Sequence, residues 1–382
     1  MDISPKILHI CNDFSGSIVH KSLYAELDEL GCTQTIFVPL RSEEKKSNNV
    51  FKFKKKGSRV VYSSVLSTFH RVFFSSKICR LVRDLDTTIN IDDFDIVHAT
   101  TLFSDGAVAL KLFYSHQKPF IVAVRNTDVY TFLRYRPDLY WLVHDILNKA
   151  KKIVFVSDSL KKSFFAHSLI KGKRQEYEAK SSVVYNGIDD FWLDNVSGMK
   201  PLTERLLFIG RFDKNKNVDR LISAVQRVKK DFPDLTLTLV GGGGDFHDKL
   251  IAQIKGKSWI EFLGPIYSKV ELKRIFKDHS IFTMVSVHET FGLVYIEALT
   301  QGLPVLLSKG QGIDGLFAQK FGEAVDPLSV KDIEKGIRKI IGDYGSYNLE
   351  DIDFSYFSWK NISKIYSKLY ENVLALENHN VC

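Results

Sequence analysis

Short runs that are apolar throughout, each followed by a helical pattern, recur along this chain and restart once near its middle. Lys6 to Cys11, Thr33 to Pro39, Asp95 to Ala99, Pro119 to Val124, Lys152 to Val156 and Ser182 to Tyr185 form a first series; Arg205 to Ile209, Leu235 to Val240, Ile260 to Leu263, Ile281 to Val285 and Pro304 to Leu307 form a second. Runs apolar on both faces suit parallel strands covered by helices on each side. Between them, positions such as Val19, Leu23, Leu27 and Leu30 fall on one helical stripe. Strands alternating with helices predict an α/β fold with doubly wound sheets. With 382 residues, two such domains are expected, facing a central cleft. The breaker-rich stretch Asp189 to Thr203 reads as the linker. The expected boundaries are 1–196, 197–358 and a closing helix in 359–382, with Ile362, Ile365, Tyr366, Leu369, Tyr370 and Val373 on one face.

Chemistry concentrates in the second series. After Ile281 to Val285 come Ser286-Val287-His288-Glu289 and Thr290-Phe291-Gly292-Leu293, then a helix carrying Glu297. A helix N-terminus at the carboxyl edge of a parallel sheet suits an anion, and Gly292 offers no side chain to obstruct it. Glu289 and Glu297 are placed to grip hydroxyls on either side of a phosphate; spacing alone fits a solvent-facing Glu297 as well. Gly210-Arg211-Phe212-Asp213-Lys214-Asn215-Lys216 follows the Arg205 strand, where Arg211 and Lys216 could neutralise a diphosphate or form a solvated basic loop. Gly241 to Gly244 lacks the remainder of a phosphate-loop pattern and reads as a tight strand-to-helix turn. Three Asp-x-Asp matches, at Asp84, Asp93 and Asp351, read as chance, and no metal site is expected.

Together these segments resemble the family 4 glycosyltransferases of the GT-B fold, over nearly the whole chain and most specifically from Leu206 to Val325. Two glutamates separated by seven residues stand in HETFGLVYIEALTQGLPV, and the basic loop stands in GRFDKNKNVDRLISA. VVYNGID and IEFLGPI match further family segments. The resemblance implies a retaining transferase moving a sugar from a nucleotide-diphosphate sugar, with a UDP-sugar favoured, and needing no metal or other cofactor. It implies that Glu289, Arg211 and Lys216 are catalytic, and that Gly210, Phe291, Gly292, Leu293, Glu297, Pro265 and Ile266 bind the donor. The acceptor side would use Ser15, Gly16 and Ser17, with His98, Arg125, Asn126 and Asp128. His98 fits equally as a packed histidine at a strand end. Arg125 stands where many members carry a histidine; it cannot act as a base near neutral pH and suits an anionic acceptor.

Charge is unevenly placed. Lys and Arg number 53 against 45 Asp and Glu, a net charge of +8. From Lys45 to Arg83 there is no acid and there are eleven bases, so this segment carries +11 and the remainder −3. Phe51, Phe53, Tyr62, Phe69, Phe73 and Phe74 are interleaved, a composition suited to an anionic membrane surface, or to a helix with a packed apolar stripe and a solvated basic face. No signature of a nucleic-acid-binding module accompanies the segment, so no nucleic-acid partner is expected. A sugar-nucleotide 2-epimerase of related fold leaves the segment without a use. Cys11, Cys32, Cys79 and Cys382 form no CxxC pair, and neither a signal peptide nor an apolar run of about 18 residues is found. The expectation is a cytoplasmic enzyme, peripheral on the inner face of the membrane, acting on a glycan or lipid-linked glycan acceptor in lipopolysaccharide O-antigen, capsule or exopolysaccharide synthesis.

Overall fold

The computed structural model describes residues 4–379, except the side chains of Arg71, Asn378 and His379. Cys382 therefore lies outside the described residues. Two compact units divide after Gly187, and the chain re-enters the first at Trp359.

In the first unit, among the described residues, seven parallel strands form one sheet: β1 (Lys6–Ile10), β2 (Thr33–Val38), β3 (Arg59–Tyr62), β4 (Ile96–Ala99), β5 (Phe120–Val124), β6 (Lys152–Phe155) and β7 (Ser181–Val183). Their order is β3-β2-β1-β4-β5-β6-β7. β4 and β5 are buried at every residue, which is why they read as unbroken apolar runs. On one face the core gathers Leu81, Leu85, Val108, Leu112, Val143 and Ile146. On the other, Leu23 and Leu27 pack with Ile362, Tyr366, Tyr370 and Val373 of the closing helix Trp359–His379. The winding reverses between β1 and β4, so the loops after these strands flank a switch point where open sheets bind ligands.

The second unit repeats the plan with β8 (Arg205–Arg211), β9 (Thr236–Gly242), β10 (Ile260–Gly264), β11 (Ile281–Thr283), β12 (Val305–Ser308) and β13 (Gly322–Val325). Their order is β10-β9-β8-β11-β12-β13, so here the switch point lies between β8 and β11.

Two expectations change. β3 and β13 were not anticipated; both are edge strands with mostly half-buried residues, so neither shows an unbroken apolar run. The second unit begins at Ile188, nine residues before its expected start at 197. The Asp189 carboxylate accepts from the Phe191 N–H (3.1 Å) and caps the helix Asp190–Leu193. Trp192 on that helix is 2% exposed and packs edge-on against Phe276. An aromatic side chain buried this fully draws its neighbours into the unit that covers it.

Candidate active site

The loops after β8 and β11 are fastened to each other. Asn215 Nδ2 donates to the His288 carbonyl (2.8 Å), the His288 N–H donates to Asn215 Oδ1 (3.0 Å), and the Val287 N–H donates to the Asn215 carbonyl (2.8 Å). Asp213 Oδ1 accepts from the Lys216 N–H (3.0 Å), closing a helical turn over Lys214–Lys216. Asn217, fully buried in the left-handed region, donates from Nδ2 to the carbonyls of Val285 (3.0 Å) and Pro327 (2.6 Å). These bonds fix the path of the loop at both ends of Lys216.

Lys216 Nζ then donates to Glu289 Oε2 at 2.7 Å, with side-chain exposures of 22% and 11%. Ser286 Oγ donates to the same carboxylate oxygen (3.2 Å), and the Thr290 N–H to Oε1 (3.2 Å). The Glu289 N–H donates to Gln311 Oε1 (3.2 Å), while the Glu289 carbonyl accepts from the Gly312 N–H (3.1 Å). A half-shielded ammonium and carboxylate are thus held in register by three loops.

Gly292 precedes the helix Leu293–Thr300 at φ +80°. A Cβ there would lie 2.5 Å from the Tyr295 ring and 3.2 Å from Glu289 Cγ. Phe291 is buried, while Gly292 and Leu293 are half-buried at the start of the helix. Glu297 lies further along it, half-buried. Burial and the nearby Asp189 carboxylate push it up to about 7, opposed by Lys269 and by a hydrogen bond from Trp192. Asp189 and Lys269 are themselves an ion pair.

Arg211 is exposed at the end of β8 and forms no ion pair among the described residues. Gly210, beside it, pairs with Gly241 of β9. Gly241 lies at φ +132°, and a Cβ there would be 1.9 Å from the Gly210 carbonyl oxygen. The glycine run therefore serves close strand approach as well as the turn: Gly241 and Gly242 are still strand, and the turn begins at Gly243. Pro265 is exposed and Ile266 half-buried in the loop after β10.

The first-unit candidates do not act as one group. His98 is 1% exposed; its Nδ1 is 2.8 Å from the Tyr370 hydroxyl, and burial holds its pKa well below the usual imidazole range. That makes it a core residue joining β4 to the closing helix, out of reach of an acceptor. Asp128 is also buried, accepting from the N–H groups of Leu102 (3.1 Å), Phe103 (3.2 Å) and Arg125 (2.8 Å); burial pushes it up to about 6. It organises the loops after β4 and β5. Arg125 Nε donates to the Thr100 carbonyl (3.1 Å), so this side chain is partly committed to the same loop. Ser15, Gly16 and Ser17 close a turn on the Asp13 carbonyl, to which the Gly16 and Ser17 N–H groups both donate at 3.0 Å. Ser15 Oγ and Asn126 Oδ1 are buried without hydrogen-bond partners among the described residues. The three Asp-x-Asp pairs have structural uses: Asp95 accepts from the Lys6 N–H (2.8 Å), Asp84 pairs with Arg80 (3.2 Å) and Asp351 accepts from Asn348 Nδ2 (2.5 Å).

Two family models divide the chain between them. Residues 17–190 match the model described as Glycosyltransferase Family 4, and residues 194–350 match Glycosyl transferases group 1. The chain is a family 4 glycosyltransferase. The enzyme has the GT-B fold. It is 24% identical over 332 residues to an alpha-monoglucosyldiacylglycerol synthase of Acholeplasma laidlawii, covering 79% of this chain and 80% of that one. A sucrose-phosphate synthase from Thermosynechococcus elongatus superposes with a TM-score of 0.76 at 17% identity, over 97% and 100% of the two chains. Anabaena HepE, whose crystal structure is a complex with UDP and glucose, superposes with a TM-score of 0.69 at 15% identity, over 96% and 99%.

Three residues that build the glycosyltransferase's Lys216–Glu289 pair were missed by sequence reasoning: Asn215, Asn217 and Gln311. Asparagines alternating with lysines read as loop filler, and the signal available was their place between a strand and a helix, where Asn, as at Asn217, tolerates the left-handed turn. Gln311 lies 22 residues from Glu289, and no local pattern links them. Among the described residues no helix is long and apolar enough to cross a membrane, and no cluster of three or more His, Cys, Asp or Glu is placed to hold a metal. Cys11 and Cys32 are buried thiols and Cys79 is an exposed one.

Proposed function

We propose that the enzyme transfers a sugar, with retention, from a UDP-sugar to a glycan or lipid-linked glycan acceptor in the synthesis of a surface polysaccharide such as lipopolysaccharide O-antigen, capsule or exopolysaccharide. The Lys216–Glu289 pair at 2.7 Å carries this reading. Lys216, whose ammonium also donates to the Met284 sulfur (3.7 Å), stands with the exposed Arg211 to supply positive charge where the diphosphate departs, which is where charge develops in the transition state. Electrostatic work of this kind by Arg211 and Lys216 calls on no metal. Glu289, with the backbone of Phe291, Gly292 and Leu293, holds the donor sugar and phosphate. Glu297 takes the ribose hydroxyls, and Pro265 and Ile266 flank the nucleobase. The UDP and glucose bound to HepE support this donor class.

The same reading places the enzyme in the cytoplasm, on the inner face of the membrane. Within Lys45 to Arg83, Val65, Phe69, Val72 and Phe73 are 44%, 51%, 70% and 53% exposed, and Phe69 stacks on Phe73 at 4.1 Å. Exposed aromatics amid lysines suit an anionic lipid surface. A relative named for making a glucosylated diacylglycerol supports an acceptor of lipid character.

A thermal-shift screen of UDP, GDP, ADP and their sugars tests the donor, since a ligand that binds only the folded state raises the melting temperature. UDP and a UDP-sugar should give the largest shift; a larger shift with GDP or ADP overturns the UDP assignment.

A further inference from the structure

Lys77 stands apart from the rest of the basic segment. It lies on the helix Phe74–Thr88, is 5% exposed, and lines a cavity of about 580 Å³ in the first unit. The cavity opens at the carboxyl edge of the sheet: Asn12 follows β1, Thr101 follows β4 and Asp128 follows β5. Ligands of open α/β sheets bind at this edge.

The ammonium of Lys77 donates to Ser104 Oγ (2.6 Å) and lies 5.7 Å from the centre of the Phe74 ring. No carboxylate is within ion-pair distance of it among the described residues. The neighbouring acids are turned elsewhere. Asp128 takes three backbone N–H groups, and Asp105 accepts from Asn12 Nδ2 (3.0 and 3.1 Å) and Thr100 Oγ1 (2.8 Å). Arg136, also in the lining, is held by Asp138 through two bonds of 2.8 and 2.7 Å. Arg41 in the lining adds a further cation. Burial first, and Arg41 next among the groups that lower it, bring the Lys77 ammonium down to about 8, against the pull of Asp105 and Asp128. A buried ammonium without a paired anion is unfavourable unless something completes it.

We propose that this cavity binds the negatively charged group of an anionic acceptor, a phosphate or carboxylate borne by the acceptor sugar, with Lys77 and Arg41 as its oxyanion partners. The proposal rests on the reading of the first unit as the acceptor side. Phe74 lines the cavity as an apolar wall, and Tyr135, 64% exposed, stands at its rim, so that a sugar ring has flat surfaces beside the charged end. His70 and Phe74 of the lining alternate with the exposed Phe69, Val72 and Phe73, so the cavity adjoins the surface read as facing lipid.

Calorimetric titration of the full chain with a hexose 6-phosphate, glucuronate, glucose and inorganic phosphate tests this, with UDP titrated alongside. At least one of the two anionic sugars should bind, and glucose should not. Tighter binding by the hexose phosphate identifies a phosphorylated acceptor; tighter binding by glucuronate identifies a uronic acid. Inorganic phosphate should compete with either. Lys77→Met and Arg41→Gln should each weaken anionic-sugar binding by about tenfold or more, the scale of one charge-assisted hydrogen bond, and leave UDP affinity unchanged. If Lys77→Met fails to fold, Arg41→Gln decides alone. Glucose binding as tightly as the anionic sugars, no binding by either anionic sugar, or unaltered affinity in folded variants overturns the proposal. Loss of UDP binding by the unaltered chain overturns the donor reading instead.

Discussion

Lys216 is 22% exposed and rests 2.7 Å from the Glu289 carboxylate, whereas Lys77 is 5% exposed and has a serine hydroxyl as its hydrogen-bond partner. Both follow from parallel sheets whose winding reverses, and both lie near the loops at such a reversal. The difference is in where the counter-charge comes from. Around Lys216 the chain supplies it, along with Asn215, Asp213 and Gln311 to hold the loop, so the second unit's site keeps its shape without a ligand. Around Lys77 the nearby carboxylates are committed to Asn12, Thr100 and backbone N–H groups, and the counter-charge is left to a ligand. In the proposed reading, one lysine belongs to a preformed donor site and the other marks a site that its ligand completes.

The largest expected effect breaks the preformed pair. Glu289→Ala and Lys216→Ala should each lower sugar transfer by about a hundredfold to a thousandfold, the usual loss when one stabilising group is removed from a transition state. Initial rates beside circular dichroism check this, and full activity in either variant sinks the site assignment. Next comes the basic segment outside Lys77. Reversing Lys54, Lys55 and Lys56 to Glu should weaken binding to anionic vesicles by about a hundredfold, at roughly 1 kcal/mol for each lysine near the lipid. Co-sedimentation that is unchanged removes the membrane reading.

Smaller effects sharpen the contrast through stability. Gly292→Ala places a Cβ 2.5 Å from the Tyr295 ring at φ +80°, and should cost about 1–3 kcal/mol in denaturant unfolding. A cost near zero would mean the turn relaxes freely. Lys77→Met should act in the opposite direction, raising the melting temperature by about 2–4 °C, since it removes a buried charge that the fold leaves unpaired. A lower melting temperature would show that the ammonium is already satisfied. The smallest effect is in pH. Glu297 keeps its proton up to about 7 in the folded chain, above its unfolded value of 4.5. The folded state thus holds a proton that the unfolded state releases, and stability falls as pH rises from about 4.5 to about 7. Glu297→Gln should flatten the melting temperature across that window; an unaltered slope would assign it to other groups.

The interior strands were legible because burial on both faces leaves an unbroken apolar run, as in Phe120–Val124. The edge strands Arg59–Tyr62 and Gly322–Val325 were not, because half-buried residues leave no such pattern. The second unit's candidate site was readable where chemistry and sequence lie close together, as with Glu289, Gly292 and Glu297. It was unreadable where the support came from afar, as with Gln311. The first unit was harder. His98 and Asp128 are polar residues at strand ends, and sequence does not distinguish one that faces a ligand from one that ties loops together. Lys77 was counted among eleven basic residues, and only its burial separates it from the others.

The most direct measurement is a crossed titration. UDP and the tighter-binding anionic sugar are each titrated into the unaltered chain, Lys216→Ala and Lys77→Met. Lys216→Ala should lose UDP affinity and keep the anionic sugar, and Lys77→Met should do the reverse. Loss of the same ligand by both variants would contradict the assignment of the two lysines to two separate sites.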